Sequence, residues 1–257
     1  MRAGRTIMLD LIVPVLLIAL WWFVSARSSS IYFPSLERIL ITFADTWLFT
    51  HFMSDLVPSV ITLLVGFSIA LIAGVSFGTL LGLSERTRRN LSPLTEFFRA
   101  MPASALVPIG LILFGRGMSM EIPILVFGSV WPILLSTSDG IRGVDPITIE
   151  TGRAYGLSRK QQIFQIIVPA AMPQIASGVR IAIAAAIATM VFANMFGSTN
   201  GLGYYVIIAQ QRFDIPGTWA GLLMIGLIGC CASLLYALVE YRALSWHRGW
   251  RGSTEAA

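Results

Sequence analysis

The sequence predicts an all-α polytopic membrane protein with six transmembrane helices in one domain, residues 1–257, and three observations support this. Only 12% of the 257 residues are charged, whereas soluble domains average about 25%. Apolar residue types make up 56% of the chain, and the mean hydropathy is +0.77. Apolar runs suited to crossing a bilayer, which takes about 20 residues, recur with charged residues between them. These features exclude the ordinary soluble, disordered and nucleic-acid-binding classes, despite the net charge of +5.

The loops between the predicted spans differ in charge, and this difference predicts an orientation. The spans are 8–24, 57–83, 97–114, 122–138, 175–196 and 219–241. Fourteen of the 18 Lys and Arg residues fall on the side that holds both termini, and four fall on the other side. Because positively charged loops stay in the cytoplasm, both termini are expected there. The domain then divides into the first span with an outer helix (1–56), a core (57–241) and a cytoplasmic tail (242–257).

The N-terminal span has a second interpretation. Arg2 and Arg5 precede an apolar run that ends in Val24-Ser25-Ala26, which is the pattern of a cleaved signal peptide. Retention of this segment predicts six spans, and cleavage predicts five.

A short amphipathic helix is predicted after the first span. Ser35 follows Pro34 and suits a helix N-cap. Five apolar side chains then recur at helical spacing, with the polar residues largely elsewhere on the wheel: Leu36, Ile39, Leu40, Phe43 and Trp47. This helix either lies at the outer membrane interface or covers the top of the bundle.

Glycines and prolines mark two further spans. Gly74, Gly78 and Gly82 stand four residues apart in the second span, a spacing that lets helices approach closely. Pro102 and Pro108 interrupt the third span, and each removes a backbone donor. Because irregular backbone at membrane depth is tolerated where it lines a cavity, the third span either lines a pathway or simply kinks.

Residues 139–174 are too polar to span and predict a helix–glycine–helix elbow on the cytoplasmic side. Pro146 starts the first short helix, and Gly156 suits a left-handed turn that ends it. Ser158 caps a second helix that runs to about residue 168, before Pro169. The elbow either docks another protein or only packs under its own bundle. Its predicted apolar face consists of Leu157, Ile163, Phe164 and Ile167.

The elbow resembles the EAA loop of ABC importer permeases, whose pattern is E-A-A, three residues, G, nine residues and I-x-L-P. The matching residues stand at the same spacing and are Glu150-Thr151-Gly152, Gly156 and Ile166-Ile167-Val168-Pro169. Thr151 and Gly152 replace the two alanines, and Val168 replaces the leucine. Gly152 is expected to loosen the first short helix.

Further segments, within roughly residues 34–240, resemble the sulfonate, nitrate and taurine branch of this family. They are Phe33-Pro34-Ser35, Arg99-Ala100-Met101-Pro102, Leu106-Val107-Pro108, Phe114-Gly115, Asp139-Gly140-Ile141-Arg142, Arg153-Ala154-Tyr155-Gly156-Leu157-Ser158 and Gly201-Leu202-Gly203-Tyr204. One departure is Ala193-Asn194, where the family often has Ala-Glu. Inferences about the substrate that depend on the carboxylate of this family glutamate do not apply to this chain.

The resemblance implies a type I ABC importer permease of the bacterial cytoplasmic membrane. The implied partners are a second permease copy, two cytoplasmic ATPase subunits that hold ATP and Mg, and an extracytoplasmic substrate-binding protein. This chain is expected to hold no cofactor, no metal and no catalytic residue. The implied solute is a small anion such as a sulfonate, nitrate or taurine-like compound, with a non-anionic solute as the alternative. The implied ATPase-coupling residues are Glu150, Arg153, Ala154, Gly156, Leu157, Ser158, Phe164 and Pro169.

Asn194 stands out among the few polar residues of the spans. A buried amide needs hydrogen-bond partners, so Asn194 either bonds a neighbouring helix or lines a wet cavity. In the second case it lines the pathway or its gate together with Ser198, and with Met101 and Ser104 from the third span. The spans are otherwise almost free of ionisable residues, which argues against an ion-coupled carrier. No catalytic pair at membrane depth supports an intramembrane enzyme.

Overall fold

The computed structural model describes residues 2–26 and 30–246, and these residues are helical without β-strands. Three π-helical turns, Asp45–Thr50, Phe52–Leu56 and Ile163–Ile167, and one 3₁₀ turn, Ala103–Leu106, join or extend the α-helices. The α-helices of the described residues are α1 Arg2–Ala26, α2 Leu36–Ala44, α3 Val57–Leu83, α4 Glu85–Ala100, α5 Val107–Phe114, α6 Met118–Arg142, α7 Pro146–Ala154, α8 Arg159–Gln162, α9 Val168–Gly197, α10 Leu202–Gln211 and α11 Ile215–Ala243.

Helices α3, α6 and α9 form the centre of the bundle, with α6 packed against the other two. Fully buried apolar side chains between them include Leu125, Ile133, Ala182 and Met190. Between membrane helices such interfaces are held by van der Waals packing rather than by exclusion of water. We call the end of the bundle that holds α7 and α8 the elbow end. The opposite end, which holds α2 and α10, is the far end.

Small residues on α3 bring it directly against α6. A Cβ atom added to Gly78 would lie 2.5 Å from the carbonyl oxygen of Leu134, and one added to Gly74 would lie 2.8 Å from Ile133. The predicted role of this glycine stripe in helix packing is therefore confirmed. The series continues beyond the three predicted positions, at four-residue intervals: Gly66, Ala70, Gly74, Gly78 and Gly82.

Among residues 2–26 and 30–246, four helices are long and apolar enough to cross a membrane, and they correspond to predicted spans two, four, five and six. The second predicted span matches α3 residue for residue. In α1 the apolar stretch among the described residues is Val15–Ala26, which is shorter than the other four. The count of six spans therefore stays a prediction. The four long helices are Phe52–Leu83, Met118–Arg142, Arg159–Gly197 and Ile215–Ala243.

The predicted third span, 97–114, is not one helix. The preceding polar residues, expected in a loop, belong to α4, and α5 leaves α4 at an angle of 83°. Met101 and Pro102 between them are extended, because a residue that precedes proline is pushed out of the helical region. Pro108 does not kink a helix but lies in the first turn of α5, where its missing N–H would have had no helical partner.

A second correction concerns Pro169, which does not end the second helix of the elbow. Helix α8 continues through the π turn Ile163–Ile167 into α9, so that Arg159–Gly197 is one helix of 39 residues. In this turn the Val168 N–H donates to the carbonyl of Ile163. The wider turn precedes Pro169, which lacks an N–H for the usual helical bond. The helix that contains the fifth predicted span therefore begins inside the elbow, well before residue 175.

Helix α2 and the π turn after it cover the far end of α11. The Ser35 hydroxyl accepts a hydrogen bond from the Arg38 N–H at 3.4 Å, so the predicted cap is confirmed. Ile39 and Trp47 are buried, and the Trp47 indole donates to the carbonyl of Ala220 at 3.0 Å. These contacts favour the alternative in which the amphipathic helix covers the bundle.

Candidate functional site

The first half of the elbow is α7, and local contacts fix both of its ends. The Asp145 carboxylate accepts a hydrogen bond from the Ile147 N–H at 2.9 Å, and Pro146 lies in the first turn. Gly156 has a φ of 73°, a left-handed conformation that glycine adopts without steric penalty. The Leu157 N–H then donates back into α7 at 3.1 Å. The predicted left-handed turn is confirmed.

The second half of the elbow begins at Ser158, as predicted. The Ser158 hydroxyl accepts from the Gln161 N–H at 3.4 Å, and the Gln161 side chain accepts from the Ser158 N–H at 2.8 Å. This reciprocal capping box satisfies two N–H groups at the helix start. One tight turn therefore joins α7 to the long helix that contains α9.

One side of the elbow packs against the bundle. Ile163 and Ile149 are partly buried against an apolar cluster that joins the end of α6 to the start of α9. The predicted apolar face is therefore not a single surface, because Ile163 and Ile167 pack against the bundle while Phe164 is exposed. The cluster consists of Ile141, Val144, Ile167 and Ala171.

Gly152 does not loosen α7, contrary to expectation. The residue is buried inside a complete helix, and a Cβ atom there would lie 2.5 Å from Cδ1 of Ile166. The absence of a side chain therefore lets α7 lie close against the π turn. An alanine methyl group would require Ile166 to shift.

The other side of the elbow is exposed. Tyr155 is 81% exposed, Phe164 is 72% exposed and Ile147 is 69% exposed. Glu150 and Arg153 are also exposed on α7. Large exposed apolar side chains grouped with charged ones are typical of protein interaction sites. The elbow therefore packs against its own bundle with one side and leaves the other side exposed, and docking of another protein on the exposed side stays a prediction.

Most of the eight predicted coupling residues lie on the exposed surface. Leu157 and Pro169 are half-buried, because one begins the turn and the other begins α9. The exposed residues are Glu150, Arg153, Ala154, Gly156, Ser158 and Phe164.

A cleft of about 780 Å³ separates the elbow from the ends of α3 and α6. Its lining carries both acidic and basic side chains, so it could form ion pairs with the surface of another protein. The charged lining residues are Glu85, Arg142, Glu150, Arg153 and Arg159.

A second candidate site is a buried polar cluster at the far end. It joins α3 and the turn before it to α6 and α9, and each of its side chains is at most 5% exposed. Polar groups buried this deeply normally pair with each other. The cluster consists of Asp55, Ser59, Thr62, Glu121 and Asn194.

Hydrogen bonds in this cluster tie the turn between α9 and α10 to α3. The Ser59 hydroxyl donates to Oδ1 of Asn194 at 2.9 Å and accepts from the Leu202 N–H at 2.8 Å. The Asp55 carboxylate accepts from the Gly201 N–H at 2.8 Å. Among the described residues, Nδ2 of Asn194 has no hydrogen-bond partner. Asn194 therefore has the contacts of a residue that joins helices.

The structure does not bring all four predicted pathway residues together. Asn194 and Ser198 lie at the far end, and the Ser198 hydroxyl bonds the Asn200 side chain at 3.2 Å. Met101 and Ser104 are half-buried at the break between α4 and α5. Within the described chain, the hydrogen bonds of Asn194 do not reach either of them. The pathway role of these residues stays a prediction.

Two buried carboxylates were not among the predicted site residues. Asp55 and Glu121 lie just outside the predicted spans in sequence, yet the structure places both in the interior. Glu121 accepts a hydrogen bond from the Thr62 hydroxyl at 3.1 Å. The spacing of Asp55, Ser59 and Thr62, four and three residues apart, was the available signal, since it places them on one helix face. The predicted spans were expected to be almost free of ionisable residues, and both acids lie outside those spans but inside the longer helices Phe52–Leu83 and Met118–Arg142.

An open cleft of about 520 Å³ lies beside this cluster at the far end. Nδ1 of His51 is 2.6 Å from the Asp55 carboxylate, and the His51 ring lies 4.8 Å from the ring of Tyr205. Burial raises the pKa of the Tyr205 phenol, and a hydrogen bond to Thr46 partly offsets this. Tyr205 is therefore a neutral hydroxyl group at physiological pH. Among the described residues, no group of three or more His, Cys, Asp or Glu side chains could hold a metal ion.

A long bundle with a two-part elbow between α6 and α9 matches a known family. The sequence profile of the binding-protein-dependent transport system inner membrane component matches residues 66–245, from within α3 to just beyond α11. The chain belongs to this family. It is therefore an inner-membrane permease of an ABC importer, as the resemblance of the elbow implied.

Individual relatives agree with this family. The chain is 29% identical over 247 residues to SsuC of Bacillus subtilis (strain 168), described as an aliphatic sulfonates transport permease, covering 95% of this permease and 90% of the relative. It is 28% identical over 255 residues to the taurine transport system permease protein TauC of Escherichia coli (strain K12), with coverages of 95% and 91%.

A solved structure shows the same fold. A chain of the MetNI methionine ABC transporter in an inward-facing conformation matches with a TM-score of 0.63 at 16% identity, covering 74% of this permease and 94% of that chain. The predicted type I ABC importer permease fold is therefore confirmed.

Proposed function

We propose that this permease carries a small sulfonate-type organic anion, and that its elbow receives the movement of cytoplasmic ATPase subunits. The exposed side of the elbow is the observation that supports the coupling role, since the large side chains of Tyr155, Phe164 and Ile147 are mostly exposed there. The similarity to SsuC and TauC supports the solute class. Two copies of the chain form the pathway, the ATPases hold ATP and Mg, and a binding protein delivers the solute to the far end.

The long helix Arg159–Gly197 supplies a physical link for this coupling. Its 39 residues correspond to about 58 Å at 1.5 Å per residue. One end lies in the elbow, and the other carries Asn194 in the far-end polar cluster. A displacement of the elbow therefore moves the far end through one continuous element, which suits a device with two states. In this proposal the elbow end and both termini are cytoplasmic.

The coupling role is tested by replacing Gly156 with valine. A β-branched residue at φ 73° pays about 1–2 kcal/mol of steric strain and turns α7 away from its present direction. We expect Gly156→Val to insert in the membrane but to transport poorly and to co-purify with less ATPase subunit. Glu150→Lys should give a milder loss, because it reverses one charge on the exposed side of α7.

Gly115 offers a matched control for this substitution. It also has a positive φ, 76°, with nothing within 4 Å of an added Cβ atom, but it lies at the end of α5 rather than in the elbow. Gly115→Val also places a β-branched residue at a positive φ, where side chains are strained, and should keep normal ATPase association. Equal ATPase association by Gly156→Val and the wild type would remove the elbow from the mechanism.

The solute class is tested with the complete importer in proteoliposomes. ATP-dependent uptake of radiolabelled taurine or ethanesulfonate, dependent on the binding protein, is the expected result. Uptake of neutral or cationic solutes with no uptake of sulfonates would contradict the proposed class.

A further inference from the structure

Helix α4 is a polar helix that contacts α3, and residues at its two ends place it relative to α6. At its start, Glu85 lines the same cleft as Arg142, which is at the elbow end of α6. Near its end, the Phe98 ring stacks on Trp131 with centroids 6.2 Å apart and an angle of 11° between the planes. Helix α4 therefore rises from the elbow end to the level of Trp131.

Trp131 marks the middle of the membrane crossing. It is the fourteenth of the 25 residues of α6, so each end of that helix lies about 16–20 Å away at 1.5 Å per residue. The hydrocarbon core of a bilayer is about 30 Å thick. Arg99, the residue after Phe98, therefore lies near the midplane.

The charges on α4 are incompatible with a lipid-facing position. None of its residues is buried within the described chain, and the Arg99 and Glu96 side chains are 48% and 53% exposed. A charged pair at the bilayer centre is costly in contact with lipid, and such residues usually face a water-filled cavity or the interior of a bundle. The charged side of α4, opposite its exposed Leu91, Leu94 and Phe97, therefore belongs to an aqueous or protein-lined space. That face carries four arginines and two glutamates: Glu85, Arg86, Arg88, Arg89, Glu96 and Arg99.

We propose that α4 lines the solute pathway from the midplane to the elbow end, and that the Arg99 guanidinium at the midplane selects for the anionic head group of the solute. This proposal rests on the proposed function and identifies a selecting residue within it. It differs from the predicted pathway set, because Arg99 lies below Met101 and Ser104 and far from Asn194 in sequence.

The chemistry of Arg99 suits this role. Nε of Arg99 donates to Oε2 of Glu96 at 2.7 Å, and one Nη atom contacts the same oxygen. A guanidinium has five N–H donors in a planar fork, so donors remain for the oxygens of a second anion. Glu96 holds the side chain in one orientation while lowering the local net charge. Because Glu96 reduces the local positive charge, an anion can bind to Arg99 weakly enough to be released again.

The first test measures the local electrostatics without requiring transport. Ser104→Cys is introduced at the break above α4, in a chain that also carries C230S and C231S. In inside-out vesicles, we expect the new thiol to react faster with the anionic sulfonatoethyl methanethiosulfonate than with its trimethylammonium analogue. Addition of Arg99→Gln should lower this rate ratio by about threefold or more, because it removes a positive charge that attracts the anionic reagent and repels the cationic one.

The second test measures uptake by the complete importer in proteoliposomes. Arg99→Gln should reduce the uptake of taurine and ethanesulfonate at low concentration by about tenfold or more, the factor expected when a charge-assisted hydrogen bond is lost. Arg99→Lys should retain an intermediate rate, because it keeps the charge but loses the fork. Co-purification of the ATPase subunit with each variant establishes that the complex has assembled.

Arg180 provides the matched control. It is also an exposed arginine paired with a glutamate, Glu240, at 2.6 Å, but this pair joins α9 to α11. Arg180→Gln should leave both the thiol rate ratio and the uptake near wild-type values. Equal effects of Arg180→Gln and Arg99→Gln would overturn the selecting role of Arg99.

Three further outcomes separate this proposal from the proposed function. An unreactive thiol at position 104 in inside-out vesicles would mean that another protein surface covers α4, and would overturn the inference. Unchanged uptake and an unchanged rate ratio in Arg99→Gln would also overturn it. A wild-type importer that carries no sulfonate would contradict the proposed function alone, and the thiol rate ratio would still decide whether Arg99 favours anions.

Discussion

At the residue scale, the neighbours of Asn194 give a reason for an amide where related permeases are expected to carry a glutamate. Asn194 shares its buried cluster with two carboxylates, Asp55 and Glu121. A third carboxylate would add like-charge repulsion in a region of low dielectric. The amide instead accepts the Ser59 hydrogen bond without adding charge. Asn194 therefore joins helices, and the carboxylates of the cluster are supplied by Asp55 and Glu121 instead.

We expect substitutions of Asn194 to lower stability before they alter transport. Asn194→Ala removes the acceptor of the buried Ser59 hydroxyl, which should lower the free energy of unfolding by about 1–3 kcal/mol. Asn194→Asp should lower it further, because it buries another charge. Thermal unfolding of the purified chain in detergent measures both changes. Ser198→Ala is the control, since it removes a bond within one turn. Wild-type stability with altered uptake would instead identify Asn194 as a gate residue.

Residue-scale features were predictable where they depend on neighbours in sequence. Gly156 and Ser158 were placed correctly, because a left-handed turn and a capping box are completed within a few residues. Asp55 and Glu121 were missed, because their partners Gly201 and Thr62 lie far away along the chain. Whether a residue joins a buried cluster depends on tertiary packing, and the hydropathy of its neighbours in sequence does not predict this.

At the element scale, α3 and α4 show when hydropathy is sufficient to locate a helix. The bounds of α3 were predicted fully because no charged residue interrupts the stretch from Val57 to Leu83. Helix α4 was missed because charged residues stand near both of its ends and none of its residues is buried. A polar helix at membrane depth gives no hydropathy signal, although its charges are the feature that makes it functionally informative.

The contact between α3 and α6 makes a prediction about glycine substitutions. Gly78→Ala would place a methyl group 2.5 Å from the backbone oxygen of Leu134, which cannot shift without moving α6. We expect a loss of about 1–3 kcal/mol in the free energy of unfolding, measured as a lower melting temperature in detergent.

Gly226 on α11 gives the opposite expectation and so controls for helix propensity. An added Cβ atom there meets nothing within 4 Å. Gly226→Ala should therefore leave stability unchanged or raise it by about 0.5–1 kcal/mol, because alanine loses less backbone freedom in a helix. A Gly78→Ala variant as stable as Gly226→Ala would mean that the two helices are further apart than the structure indicates.

At the scale of the whole molecule, the two candidate sites lie at opposite ends of one bundle. The elbow packs onto the ends of α6 and α9, and the polar cluster holds the turn after α9 against α3. Helix α9 touches both sites, and the 3₁₀ turn between α4 and α5 also contacts it. A movement at one end can therefore reach the other through α9, which is a rigid element. The break between α4 and α5 allows these two helices to move independently of each other.

The orientation of this bundle in the membrane is tested by thiol labelling in the chain that carries C230S and C231S. Single cysteines at Ser158, in the elbow, and at Ser119, at the far end, are both at exposed positions. The charge distribution predicts that Ser119→Cys reacts with an impermeant thiol reagent in intact spheroplasts and that Ser158→Cys is protected. Expression without the ATPase subunit ensures that protection reflects the membrane rather than a bound partner. In inside-out vesicles the pattern should reverse. Labelling of Ser158→Cys from outside would mean that the bundle has the opposite orientation. The elbow would then lie outside the cell, where no cytoplasmic ATPase could bind it.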